Sequence, residues 1–194
     1  MQKTLRAYLM PYRDYLWFAV TLVVADNIWK WGISGEDSLT SSVMWLGMDV
    51  TAFFQVLMQD IAQQADMILH LFRTDITYDA LYTLGLPNGR SLQIVWGCTP
   101  VKQWFIWLCL MLVALPRSWH KGWYIPLGGL LLYELNIVRI VFLVLVIIPH
   151  PDWFALWHGY ILKYLFYGIM FLLWLLWVRL IGRYLQNRTS RISE

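Results

Sequence analysis

Four stretches of the chain carry apolar residues with too few polar interruptions to form a half-solvated surface helix. The most continuous runs from Gly159 to Val178, with Lys163 as its one charge, which meets the roughly 20-residue requirement for crossing a bilayer. Trp123 to Pro149 is longer and is interrupted by Glu134, Asn136 and Arg139. Val101 to Leu115 is short but almost wholly apolar after Lys102 and Gln103, and Tyr15 to Ile33 holds Asp26, Asn27 and Lys30 toward its far end. The pattern predicts an all-α membrane protein of about four transmembrane helices, over residues 15–33, 99–116, 123–149 and 158–182. The chain reads as a single integral membrane domain, 1–194, ending in a cytoplasmic tail over 183–194.

Residues 34–97 behave differently. Between Ser41 and Phe72, the positions Val43, Leu46, Val50, Phe53, Phe54, Leu57, Ile61, Ile68, Leu69 and Phe72 recur at helical spacing, with Asp49, Gln55, Asp60, Gln63 and Asp66 largely between them. That predicts an amphipathic helix lying on the outer membrane face or capping the bundle. Whether part of it enters the membrane is left open by the pattern. Farther on, Ile76–Leu84 and Ser91–Trp96 flank Pro87-Asn88-Gly89-Arg90, a turn signal that predicts a short β-hairpin leading to Gly97-Cys98.

Composition agrees with a lipid solvent. Charged residues make up 14% of the 194 residues, hydrophobic residues 59%, and there are thirteen Trp; soluble domains carry roughly 25% charged residues to cover their surface. The charge distribution sets the orientation. Lys3, Arg6 and Arg13 precede the first apolar run, Arg117 and Lys121 separate the two middle ones, and Arg179, Arg183, Arg188 and Arg191 follow the last. Basic flanks stay on the cytoplasmic side, so an even number of crossings leaves 34–97 outside, where seven acids face two bases. The expected location is the inner, cytoplasmic membrane. No A-x-A-like cleavage site follows the first run, which therefore reads as a retained helix.

Ionisable groups within spanning segments are costly, and a functional role is their default reading. Asn136 and Arg139, three apart, share one helix face. At 1.5 Å rise per residue, Arg139 lies about 24 Å above Trp123, Cys98 about 26 Å above Leu115 and His158 about 32 Å above Arg179. In a hydrocarbon core of ~30 Å, these three reach one layer near the outer leaflet. Thr99-Pro100 reads as an N-cap and first helical residue. With Lys102 one turn on, a thiol at Cys98 would sit where its thiolate is favoured. The plain alternatives are a structural Asn–Arg clasp between helices and a Cys acting as a small hydrophobe, and Cys109, inside its apolar run, is read as the latter.

Other chemistry finds little footing. Cys98 and Cys109 are eleven residues apart on one predicted helix, about 16 Å in rise, beyond disulfide reach. His70, His120, His150 and His158 show no metal-ligand pairing, so neither metal nor cofactor is expected. No Gly-rich phosphate loop, basic-aromatic nucleic-acid patch or serine elbow occurs.

At these residues the sequence resembles the exosortase/archaeosortase family of membrane-embedded cysteine transpeptidases, as a short variant. The carriers are Gly97-Cys98-Thr99, Asn136-Ile137-Val138-Arg139-Ile140 and Trp157-His158-Gly159, in the family's order and on successive helices. The resemblance covers about the last half of the chain. Pro100 stands where the family commonly has Gly, and the chain has fewer spanning segments than many members.

The resemblance implies an enzyme that cleaves the C-terminal sorting signal of exported proteins, whose hydrophobic tail sits in the bilayer. Cys98 would be the nucleophile and His158 the base and then the acid. Arg139 would stabilise the oxyanion, with Asn136, Thr99 and Lys102 in support and Lys163 and Asp152 as rim candidates. A lipid or glycan amine would accept the acyl group, or water in plain proteolysis. Two alternatives of other classes stand beside it: a non-enzymatic membrane subunit held by the Asn136–Arg139 clasp, and a small transporter using Arg139 and Glu134.

Overall fold

A computed structural model describes residues 13–36, 42–72, 75–79, 82–87, 89–115, 118–181 and 184. The expected anchors Lys3, Arg6, Arg117, Arg183, Arg188 and Arg191, the acid Asp37, the base Arg73, the turn residue Asn88 and nearly all of the 183–194 tail lie outside them. The chain is mostly helical, with two small sheets. In order it forms α1 (Arg13–Gly32), β1 (Ile33–Ser34), β2 (Met44–Trp45), β3 (Met48–Asp49) and α2 (Thr51–Leu71), then β4 (Thr77–Asp79), β5 (Thr83–Gly85), β6 (Ser91–Gln93), α3 (Val101–Val113) and α4 (Lys121–Ile147). The last helical unit, α5, has its regular part at Leu162–Leu176, with a π turn at each end, Trp157–Ile161 and Trp177–Ile181.

Among the described residues, two helical spans are long and apolar enough to cross a membrane: Lys121–Ile147, 27 residues, and Pro151–Arg179, 29 residues. Of their most apolar stretches only 44% and 28% is buried inside the protein, whereas the core helix of a soluble domain is mostly enclosed. Leu127, Leu130 and Val138 on α4 and Leu165 and Leu172 on α5 are each more than half exposed, an apolar surface that water disfavours. These helices point to membrane association. The other two expected crossings have a different character: α1 holds Arg13, Asp14, Asp26 and Lys30 within twenty residues, and the thirteen residues of α3 rise only about 20 Å.

Among the described residues the packing forms two large clusters and a small one of Trp29, Val43 and Phe54. The first joins α1, α3, the first half of α4 and α5 through Phe18, Trp107, Leu110, Tyr124, Met170, Trp174 and Trp177. Here α3 and α4 approach closely because Gly128 has no side chain: a Cβ there would lie 2.5 Å from the Trp107 ring. The indoles of Trp107 and Trp104 donate to the carbonyls of Ile125 (3.1 Å) and Gly129 (2.8 Å), on either side of the helix-interior Pro126. At the far end of α3, the buried Lys121 ammonium donates to the Met111 and Ala114 carbonyls, 2.5 Å each. It supplies partners for carbonyls a helix end otherwise leaves without them.

The second cluster seats α2 and the β4–β6 sheet on the second half of α4. Met58, Ile61, Ala62, Ala65 and Leu69 meet Ile137, Ile140, Val141 and Val144. On α4 the buried row Tyr124, Gly128, Leu132, Asn136, Ile140, Val144 repeats every four residues, one ridge of a helix surface. Asn136 occupies a place in that ridge where an apolar side chain would ordinarily sit.

Several expectations need correcting. The amphipathic helix starts at Thr51, not near Ser41, because Leu46 (φ 49°) and Gly47 (φ 81°) make a left-handed two-residue turn that pairs β2 with β3. Val43, Leu46 and Val50 therefore precede α2. Phe53 and Phe72 are over half exposed, and the buried face is instead completed by Met58, Ala62 and Ala65. Asp49 then accepts from the Thr51 N–H at 2.9 Å at the start of α2. The single hairpin becomes a three-stranded meander, because Tyr82 (φ 59°) divides Ile76–Leu84 into β4 and β5. The predicted turn joins β5 to β6, with Leu86 donating to the Arg90 carbonyl at 2.8 Å.

Candidate functional site

The meander ends in the tight turn Trp96–Cys98, which carries Cys98 to the head of α3. Cys98 N–H donates to the Val95 carbonyl at 2.8 Å and Thr99 N–H to that of Trp96 at 3.0 Å. The Thr99 hydroxyl also donates to the Trp96 carbonyl, at 2.7 Å. Thr99 is thus not the N-cap of α3: that position is Pro100, and the Thr99 side chain locks the turn behind Cys98.

From α4, the Asn136 amide donates to the Cys98 carbonyl at 2.9 Å. Asn136 is fully buried, and its Oδ1 has no hydrogen-bond partner among the described residues. Buried polar atoms are normally paired. One end of this amide therefore holds the turn of Cys98 while the other offers an unused acceptor beside it.

Arg139, nearly one turn beyond Asn136, reaches α5. Its Nη2 lies 3.5 Å from His158 Nδ1, a long contact. A guanidinium has only donors, so this approach calls for the ring lone pair at Nδ1 and, in the neutral ring, the proton at Nε2. His158 sits inside the π turn Trp157–Ile161, a local widening that is frequent at functional sites. Phe154, four residues earlier, stacks on the imidazole with ring centroids 5.0 Å apart and planes within 7°.

Cys98, Arg139 and His158 line one cleft of about 120 Å³, bounded by Phe154, by Ile140 and Leu143 of α4, and by the Leu92–Val95 segment that ends β6. Three separate chain segments contribute to it. The arrangement puts a thiol, a permanent cation and an imidazole around a space wide enough for a backbone carbonyl group.

The remaining candidates sit elsewhere. Lys102 does not serve Cys98: its ammonium is 2.6 Å from Asp26 Oδ1 on α1. The physical reason is that α3 begins only at Val101, so the i, i+4 relation assumed between Cys98 and Lys102 does not exist. Asp152, Lys163 and Glu134 are exposed and do not line the cleft. Cys109 packs against the first cluster, and neither cysteine is in a disulfide. Among the described residues no group of three or more His, Cys, Asp or Glu side chains gathers as metal ligands would. Phe154 and residues 92–95 were not singled out by sequence, although the i, i+4 spacing of Phe154 and His158 was there to be used.

A scan against protein-family models and searches of curated proteins and of solved structures found no match to this chain.

Proposed function

We propose that the protein is a membrane-embedded cysteine peptidase or transpeptidase of the exosortase/archaeosortase kind. In this reading it crosses the inner membrane four times, with its cleft outward, and acts on exported proteins that end in a hydrophobic sorting signal. The observation that carries the reading is the convergence of Cys98, Arg139 and His158 on one cleft.

The chemistry follows from those groups. A substrate carbonyl oxygen entering the cleft draws the Arg139 guanidinium to itself, which leaves the His158 Nδ1 lone pair to take the Cys98 thiol proton. The sulfur attacks the carbonyl carbon, the new C–S bond forms, and the oxyanion is held by Arg139. Collapse breaks the C–N bond, and the imidazolium proton leaves with the amine. An acceptor amine, on a lipid or glycan, then attacks the thioester and gives its proton to His158; the C–S bond breaks, the new amide is released, and the imidazolium returns the proton to the Cys98 sulfur. Water in its place yields a free carboxylic acid. Asn136 and Thr99 act earlier, by fixing the peptide that carries Cys98.

The Asn136 bond also suits the second reading, a non-catalytic subunit in which Asn136 merely clasps α4 to the Cys98 turn. Expressing Cys98→Ala and Cys98→Ser in the native host, and following the size of exported proteins with hydrophobic C-terminal tails, separates the two. The transpeptidase reading expects full-length substrate to accumulate in both variants. Normal processing in the Ala variant at equal protein level would rule it out and favour the clasp.

A further inference from the structure

Behind the Cys98 turn, Trp29 of α1 forms a wall common to two cavities that share no lining residue with the cleft. One, about 370 Å³, is a groove with only apolar and aromatic side chains, among them Trp45, Phe54, Trp104, Phe105 and Leu108. The other, about 270 Å³, adjoins Lys30, Lys102, Trp96, Gly97 and Thr99. Its two ammonium groups are held by opposite oxygens of one carboxylate: Lys102 is 2.6 Å from Asp26 Oδ1 and Lys30 2.6 Å from Oδ2. The Tyr167 hydroxyl approaches the same Oδ1 at 3.4 Å, and the Trp96 indole donates to the Glu36 carbonyl at 3.0 Å.

Two lysines held by one aspartate thus stand across Trp29 from an apolar groove. Each ammonium has three donors, so Asp26 fixes both lysines in place while N–H groups remain for a second acceptor. A soluble anion would have no use for the aromatic groove, and a neutral hydrocarbon chain would have none for the lysines. An amphiphile with a negative head satisfies both, and paired Trp and Lys are side chains that settle at the level of lipid headgroups.

We propose that the two cavities form one binding site for an anionic phospholipid, with its phosphate against Lys30 and Lys102 and one acyl chain in the groove beside Trp29. Gly97 and Thr99 place that headgroup against the back of the turn whose front carries Cys98. The proposal requires a membrane setting but not the transpeptidase reading, and its test measures binding alone.

The test titrates the delipidated full-length protein in detergent with phosphatidylglycerol or with phosphatidylcholine of the same chains, read by native mass spectrometry. The expected preference for phosphatidylglycerol is about 25-fold, about fivefold from each of the two lysines, and each lysine removed costs about fivefold in its binding. Lys30→Gln, at a side chain 60% exposed, should show that loss with an unchanged unfolding temperature; Lys30→Gln with Lys102→Gln should abolish the preference. Leu108→Trp, which fills the groove, should weaken both lipids. Equal binding of the two lipids, or a preference that survives the double variant, overturns the proposal. So does displacement of phosphatidylglycerol by inorganic phosphate at equal concentration, which would identify a site for soluble anions.

Discussion

Replacing Asn136 by leucine separates a residue that positions the thiol from one that merely holds helices together. The native amide makes one buried hydrogen bond, to the Cys98 carbonyl at 2.9 Å, and leaves Oδ1 without a partner among the described residues. Leucine forfeits the bond to the Cys98 carbonyl, which costs about 0.5–1.5 kcal/mol. It also removes an unpaired buried oxygen, whose desolvation penalty is of similar size, about 1–3 kcal/mol in protein mutational data. Its shape suits the ridge between Leu132 and Ile140. The two terms nearly cancel, so stability should change by no more than about 1 kcal/mol. The Cys98 turn, however, loses its tether from α4. Misplacement of a reacting group by about 1 Å can cost about a hundredfold in rate, so processing should fall at least tenfold while the unfolding temperature holds. The assay pairs thermal unfolding in detergent with the rate of Cys98 modification by a maleimide and with substrate processing. Asn136→Ala, which leaves a cavity as well, should lose stability in addition. Wild-type thiol reactivity and processing in Asn136→Leu would refute positioning, and destabilisation beyond about 3 kcal/mol would refute the cancellation.

Phe154→Ala removes the ring stacked on His158; such a contact is worth about 0.5–1.5 kcal/mol, so processing should fall about two- to twelvefold, with recovery in Phe154→Trp and little change in unfolding temperature. Lys121→Met removes both donors to the Met111 and Ala114 carbonyls. It should destabilise by about 2–4 kcal/mol, each lost charged bond being worth about 1.5–3 kcal/mol less the gain from no longer burying a charge, while Cys98 reactivity per folded molecule stays unchanged. At the start of α2, the Thr51 side chain and backbone N–H hold the Asp49 carboxyl below its ordinary value of 3.8. A depressed folded value means that its stabilising effect on the start of α2 is complete above the ordinary value and is lost as pH falls through the depressed one. Hydrogen exchange at the Thr51 amide should therefore gain protection as pH rises across that window, beyond the intrinsic pH dependence, and Asp49→Asn should abolish the change.

How much of this was legible beforehand follows from the range of each interaction. The long apolar spans are local and strong, and α4 and the regular part of α5 lie where periodicity puts them. The Leu46–Gly47 turn was missed because the apolar spacing continues through it, and spacing alone does not detect a left-handed backbone at a leucine. The α2 face was misassigned for a related reason: Ala62 and Ala65 are buried for the sake of close approach to α4, a demand of its partner and not of its own hydrophobicity. Depth arithmetic put Cys98, Arg139 and His158 in one layer but could say nothing of lateral placement. That placement depends on the order of helices around the bundle and on the π turn at His158, neither of which is written in a local pattern.

Lys102 shows why proximity along the chain misleads near a helix start. Four residues from Cys98, it would support a thiolate only if both stood on one continuous helix, and the 3-10 turn at Trp96–Cys98 breaks that relation and sends the ammonium to Asp26. The cation facing the cleft is then Arg139, supplied from α4. This division has a chemical consequence. A lysine on the helix of the thiol would move with it, whereas an arginine on another helix stays in place when the Cys98 turn shifts, and so can meet a carbonyl oxygen that arrives with the substrate. The two lysines, gathered behind the turn by one carboxylate, are left to answer a different negative charge. A single three-residue turn thereby separates two positively charged surfaces, one in front of the sulfur and one behind it.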